Sequence, residues 1–273
     1  MTKEFLKEGF TSKSYTVDSD YILLVGKNEQ AITSYRKQKD ILSFLRGKIF
    51  TVKLPIIDII YEPTSTYSFG GLKYKKIAGV VLTSEVIAQA KLDSLSITIA
   101  NFLNELHNIC IFDFKKNLNI DEIKKEKMIL IDENIKSLLN YISKKEANKL
   151  FDWRDKYMKY FLTFDGFCLV HGDLWYENYI MNEDYSVLLG IVDWECSTIS
   201  DPADDLCALL YLGEQFLNKV ISQYKNSDTN LLERIMLNKQ KRELIHLKYV
   251  IDYCDDLEVK EQLAKIRASG ILG

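Results

Sequence analysis

Proline is scarce in this chain, three in 273 residues, and there are only twelve glycines and three histidines. That excludes a collagen-like, proline-rich or low-complexity disordered chain. The five cysteines, Cys110, Cys168, Cys196, Cys207 and Cys254, are scattered and show no C-x-x-C spacing. An odd number without paired spacing argues against a disulfide framework or a zinc site and fits reduced thiols in a cytoplasmic protein. No run of about 18 apolar residues occurs, and MTKEFLKEGF has no apolar signal core, so no membrane partner is expected. Lys and Arg total 36 against 39 Asp and Glu, a net charge of −3. Such a balance gives no reason to expect nucleic acid as a partner. There is no internal repeat and no heptad. What remains is ordinary globular composition, 47% hydrophobic and 27% charged. The length suits one large domain or two modest ones sharing a cleft, and a monomer is expected.

The pattern changes along the chain. KSYTV and DYILLV are β-branched and aromatic runs split by Asp18-Ser19-Asp20, which reads as a hairpin. From Gln30 to Leu45 the apolar residues Ala31, Tyr35, Ile41, Leu42 and Leu45 fall on helical spacing. LPIIDIIY and FGGLKYKKI read as two more strands, with a turn-rich interval from Pro63 to Ser68. Beyond Gly79, Leu92, Leu95, Ile99, Phe102, Leu103 and Leu106 form an apolar helical stripe ending near His107. Residues 121–161 read as two or three helices. FCLV and SVLLGIVDW are strands, and residues 204–251 are helical with a break near Ser227-Asp228. The expectation is an α+β protein with a small β-rich N-terminal lobe, residues 1–76, and a larger mainly helical C-terminal lobe, residues 77–273.

One stretch carries chemistry. In LVHGDLWYENYI, His171, Asp173 and Asn178 follow a short apolar strand with the spacing H-x-D-L-x-x-x-N, and Asp193 ends the next strand. Phosphoryl transfer needs a carboxylate to orient the attacking hydroxyl and accept its proton. It also needs Mg²⁺, for which a carboxylate and an amide oxygen are suitable hard ligands. Asp173 as the base, with Asn178 and Asp193 as metal ligands, meets that need. A helix N-cap at Asp173 and a turn at Asn178 are the plainer alternatives. His171 is a catalytic-loop residue, better suited to bonding the loop backbone than to acting as a base. In SDPADDLCAL, Asp201 before Pro202 reads as a helix cap.

HGDLWYEN, GIVDWE and SDPADDLCAL, in this order, resemble the aminoglycoside phosphotransferase family, whose fold is similar to that of protein kinases. NFLNELHNI resembles that family's helix ending in Leu-His. KEGFTSKSYTV resembles its nucleotide-flap hairpin, and YKKIAGVVLT its hinge, in particular that of the 2''-aminoglycoside phosphotransferases. The resemblance covers roughly residues 8–225. It implies a bilobal kinase-like fold, ATP or GTP as phosphate donor, Mg²⁺, and a small-molecule acceptor. It places Tyr74 at the back of the nucleotide pocket and the backbone of Lys75 to Ile77 along the purine edge. The flap Gly9-Phe10-Thr11-Ser12 would fold over the phosphates and bring Lys13 above them.

The chain departs from the family at two linked positions. Leu24 stands where the family has a phosphate-gripping lysine, and Gln38 where it has the glutamate that holds that lysine. An unpaired charge in a cleft is costly, so the loss of one partner favours loss of the other. Lys13, and after it Lys27, are the cations expected to compensate. For a cationic acceptor, the expected contacts are Glu195, Glu214, Asp255 and Asp256, with Tyr253 as an apolar wall. A kinase of a neutral metabolite and a nucleotide-binding pseudokinase without transfer remain as alternatives, since fold does not decide function.

Overall fold

The computed structural model describes residues 2–9 and 11–273. The strands are β1 (Lys3–Glu8), β2 (Ser12–Val17), β3 (Tyr21–Gly26), β4 (Ile56–Tyr61), β5 (Gly71–Lys75), β6 (Val80–Val81), β7 (Cys168–Val170), β8 (Tyr179–Met181), β9 (Leu188–Ile191) and β10 (Thr198–Ser200). The first five helices are α1 (Gln30–Leu45), α2 (Leu92–His107), α3 (Ile111–Phe114), α4 (Ile120–Leu138) and α5 (Lys144–Thr163). The remaining five are α6 (Ala203–Leu206), α7 (Glu214–Ile221), α8 (Leu231–Ile245), α9 (Leu247–Tyr253) and α10 (Asp256–Ala268).

The chain divides into two compact units, each assembled from separate stretches. The first holds the described residues up to 110 together with 171–198 and 209–225; the second holds 111–170, 199–208 and 226–273. The boundary expected between residues 76 and 77 falls inside the first unit, just after β5.

In the first unit an antiparallel sheet runs in the order β1-β2-β3-β5-β4. Asp18 and Ser19, with φ of 47° and 63°, make the tight β2–β3 turn. Two successive left-handed residues match the right-handed twist of a hairpin. Helix α1 spans the residues its apolar spacing indicates and buries Ala31, Tyr35, Ile41, Leu42 and Leu45. Ala31 and Tyr35 form a core cluster with Leu72, against which Leu24, Ile32, Ile57, Ile60 and Tyr74 pack. Each large apolar side chain taken fully out of water contributes roughly 1.5–3 kcal/mol. β1 joins β2 with a register shift between Phe5 and Lys7, a β-bulge. A second sheet, β6-β8-β9, is tied to the segment before β4 by a parallel bridge between Lys53 and Gly190. Helix α2 buries Leu95, Ile99, Phe102, Leu103 and Leu106 and packs on α7.

The second unit is mainly helical. α8 packs on α4, α5, α6 and α10, and β7 pairs with β10. Helix starts are fixed by side chains: Asn119 caps α4, and Ser143 with Glu146 closes a capping box on α5. Capping satisfies N–H groups that have no partner within the helix. Charge is buried here in pairs. Arg234, itself buried, donates to Asp201 at 2.7 Å and to both oxygens of Asp228 at 2.8 and 2.9 Å. Lys241 and Ser200 both donate to Asp204. Asp201 also accepts from the Ala203 N–H at 2.9 Å, the capping contact its place before Pro202 suggests. All five cysteines are free thiols. Among the described residues no helix is long and apolar enough to cross a membrane.

Candidate active site

The loop after β7 is shaped by one glycine. Gly172 has φ of 81°, and a Cβ there would collide with the carbonyl oxygen of Cys196. Only glycine satisfies both the left-handed backbone and that close approach. His171, fully buried, holds the loop from the inside. Its Nε2 lies 3.1 Å from the Val192 carbonyl, and the Asp173 N–H donates to Nδ1 at 3.3 Å. The two contacts together require a neutral ring protonated on Nε2. Its edge packs on Trp194, with ring centroids 4.6 Å apart. With both nitrogens engaged on backbone, His171 orients the loop, and the geometry gives it no role as a base. The loop is closed from the other side when the Ser197 hydroxyl donates to the His171 carbonyl at 3.1 Å.

Asp173 and Asn178 are directly bonded. The Asn178 amide nitrogen donates to the Asp173 carbonyl at 2.9 Å and to its carboxylate at 3.2 Å. That fixes the carboxylate and leaves the amide oxygen for a cation. The Val192 N–H donates to the Asn178 carbonyl at 3.0 Å, so the loop and the segment carrying Asp193 are stitched together. Asp193 itself sits at φ of 66°. A non-glycine residue in that region is uncommon and points to a position held for its side chain. Burial, reinforced by Glu195 and Asp173, pushes the Asp193 carboxyl up to about 7, with Lys7 opposing.

A cavity of about 460 Å³ lies within the first unit, and Asp173 adjoins it through its bonds to Asn178. Asn178, Asp193 and Glu195 lie on its wall, with Ser12, Tyr74, Lys76 and Ile77. Asn178 and Asp193, both on the cavity wall, are oxygen donors of the kind Mg²⁺ takes. Among the described residues there is no group of three or more His, Cys, Asp or Glu able to hold a metal alone. Burial raises the Tyr74 hydroxyl far above its ordinary value, with the Asp193 charge adding to it.

The other expected residues divide. The Ser12 hydroxyl pairs with that of Tyr35 at 2.7 Å. Lys75 ends β5 and does not line the cavity, whereas Lys76 and Ile77 do. Lys13 and Lys27 are off the cavity wall and are both ion-paired to Glu8, at 3.3 and 2.6 Å. Phe10 of the expected flap lies outside the described residues. Leu24 and Gln38 do face the cavity, and the Gln38 amide nitrogen is buried without a hydrogen-bond partner. Glu195 is tied to the flap, accepting from the Thr11 hydroxyl at 2.7 Å. Glu214 is exposed in the first turn of α7 and lines a different hollow. In the second unit, Tyr253 is exposed and rests on Tyr249, with ring centroids 5.0 Å apart. Asp255 is the N-cap of α10, accepting from Leu257 and Glu258 N–H at 2.9 and 3.0 Å, and Asp256 opens that helix. Lys7 was not anticipated. A regular strand would turn Leu6 and Lys7 to opposite faces.

The loop carrying Asp173 and Asn178, with Asp193 just past the next strand, meets one cavity through Asn178 and Asp193, and such an arrangement fits a phosphotransferase of kinase-like fold. Residues 4–237 match the model of the APH, or phosphotransferase enzyme, family, and the chain belongs to that family. Solved structures agree in fold. One is the GDP and kanamycin complex of APH(2")-IIia, 23% identical, with a TM-score of 0.86 over 99% of this chain and 93% of that one. The gentamicin-APH(2")-IIa complex is 17% identical, with a TM-score of 0.76 over 99% and 93%. Macrolide 2'-phosphotransferase type I is 15% identical, with a TM-score of 0.70 over 97% and 91%.

Proposed function

We propose that this phosphotransferase is a cytoplasmic, monomeric small-molecule kinase. It moves the γ-phosphate of ATP or GTP to a hydroxyl of an aminoglycoside-like acceptor. Residues 1–76 serve as the nucleotide lobe and residues 77–273 as the catalytic and acceptor lobe. The observation that carries the reading is that Asn178, bonded to Asp173, and Asp193 line the same cavity as Tyr74, Lys76 and Ile77. The Lys76 N–H is used by the Asp20 carbonyl, and the purine edge falls to the main chain beside it. In the reaction the acceptor oxygen bonds to the γ-phosphorus as the bond to the β–γ bridging oxygen breaks. The hydroxyl proton passes to the Asp173 carboxylate, which Asn178 holds in place. Asn178 and Asp193 would hold Mg²⁺, which supplies charge neutralisation at the phosphates.

The acceptor class rests on fold neighbours solved with kanamycin and gentamicin. A cationic acceptor would meet carboxylates, for which Glu195, Glu214 and Asp256 are candidates, with Tyr253 as a wall. Asp255 is weaker, because both its contacts are spent on capping α10. The test is a thermal scan with aminoglycosides and with neutral sugars. A cationic acceptor should raise the melting temperature, and the shift should shrink with added salt as carboxylate–ammonium contacts are screened. Stabilisation by neutral compounds alone would assign a neutral-metabolite acceptor instead. One feature of the cavity favours a second reading, a nucleotide sensor without transfer: Leu24 and Gln38 provide no cation–carboxylate pair on the wall. Nucleotide binding without consumption, whatever the acceptor, is its signature.

A further inference from the structure

The phosphate-gripping charge of a kinase-like site normally comes from the middle of the sheet, and here that position is Leu24, packed into the Ala31–Tyr35–Leu72 cluster. The nucleotide still brings three or four negative charges to the cavity, only part of which Mg²⁺ offsets. Four lysines stand around the flap. Lys13 and Lys27 share Glu8, and Lys27 also donates to the Gly9 carbonyl at 3.0 Å. Lys37 points to the Glu195 carbonyl at 3.4 Å and is off the cavity wall. Lys7 differs from all three. It lines the cavity, and no carboxylate lies within ion-pair distance of it among the described residues.

The bulge explains how it gets there. β1 pairs Phe5 with Tyr15 and then Lys7 with Ser14, so Leu6 is the extra residue. A bulge breaks the two-residue alternation and lets neighbouring side chains share a face. Leu6 and Lys7 accordingly both line the cavity. The Ser14 hydroxyl donates to the Lys7 carbonyl at 3.0 Å and pins the backbone at that point. Lys76 also lines the cavity, but it follows β5 at the purine end.

We propose that Lys7, delivered by the β1 bulge, is the nucleotide-phosphate cation of this chain, taking over from the sheet position occupied by Leu24. The proposal rests on the nucleotide reading above. It makes Lys7 a binding residue whose contact is with phosphate oxygens and not with the base or sugar. One charge-assisted contact of that kind is worth about ten- to a hundredfold in affinity.

Full-length protein would be titrated with Mg²⁺-ATP, Mg²⁺-GTP, adenosine and guanosine, as wild type, Lys7→Met and Lys7→Arg. Met keeps the aliphatic stem and removes the charge. The expected result is triphosphate binding weakened about ten- to a hundredfold in Lys7→Met, nucleoside binding unchanged, and near-wild-type binding in Lys7→Arg. Equal triphosphate affinity in Lys7→Met and wild type would overturn the proposal, as would equal losses for triphosphate and nucleoside. Wild-type protein that binds neither triphosphate would overturn it too, together with the nucleotide reading. Selective loss in Lys7→Met by a protein that never consumes nucleotide would uphold Lys7 and remove only the transfer reading.

Discussion

Two buried aspartates, Asp204 in the second compact unit and Asp193 in the first, carry opposite perturbations. In the second unit burial would push Asp204 up, but the Lys241 and Lys127 ammoniums outweigh it and hold the carboxyl down at about 2. In the first unit burial pushes Asp193 up to about 7, the like-charged Glu195 and Asp173 add to it, and Lys7 offsets this only in part. Residue type is the same and burial is common to both. The difference is the partner. A buried carboxylate matched by a protein cation is part of the scaffold, whereas one surrounded by other carboxylates is waiting for a charge that the chain does not supply.

The sharpest way to break the scaffold side is Lys241→Met. It leaves Asp204 buried with the Lys127 ammonium only at 3.9 Å. Removing one partner of a buried pair costs about 3–5 kcal/mol. Urea unfolding at neutral pH should show a loss of that size; an unchanged midpoint would mean the pair is not structural.

The opposite sign is expected at the cavity. Asp193→Asn should stabilise the ligand-free protein at pH 8 by on the order of 2 kcal/mol, because it removes a carboxylate that folding disfavours. The same variant should lose Mg²⁺-dependent nucleotide affinity. The pH dependence separates the two aspartates. Asp204 has a folded value below its unfolded one, so its stabilising contribution is full above about pH 4 and fades as pH falls towards about 2. Asp193 has a folded value above its unfolded one, so its penalty is absent below about pH 4 and grows as pH rises to about 7. Stability profiles of wild type and Asp193→Asn should therefore converge in acid and diverge above pH 5. Parallel profiles would contradict the assignment.

Much of this arrangement was legible beforehand where the physical signal is local. The α1 bounds follow from the spacing of Ala31, Tyr35, Ile41, Leu42 and Leu45, and the β2–β3 turn from Asp18-Ser19-Asp20. The loop spacing brings Asp173 and Asn178 into one loop, but the bond between them is seen only in the structure. Other features depend on context that no short window holds. The residues of β1 are exposed throughout, so KEFLKE lacks a buried face, and its bulge is visible only against β2. Lys7 was therefore passed over for Lys13 and Lys27, whose shared partner Glu8 is brought near by the hairpin. β8 is three residues long, too short for a period. Asp255 has a structural role that a local signal also indicates. Its capping partner Glu258 stands three residues on, a local signal for a helix start, yet neighbouring Asp256 and Tyr253 suggested a ligand-facing cluster.

On the proposed function Asp173, held by Asn178, takes the proton of an acceptor hydroxyl during phosphoryl transfer. The most direct measurement is acceptor-dependent ATP or GTP consumption by wild type and Asp173→Asn, alongside nucleotide titration of both. Turnover should fall by a factor of about 10²–10⁴ or more in Asp173→Asn, with nucleotide affinity nearly unchanged. Turnover at the wild-type rate in Asp173→Asn would contradict it.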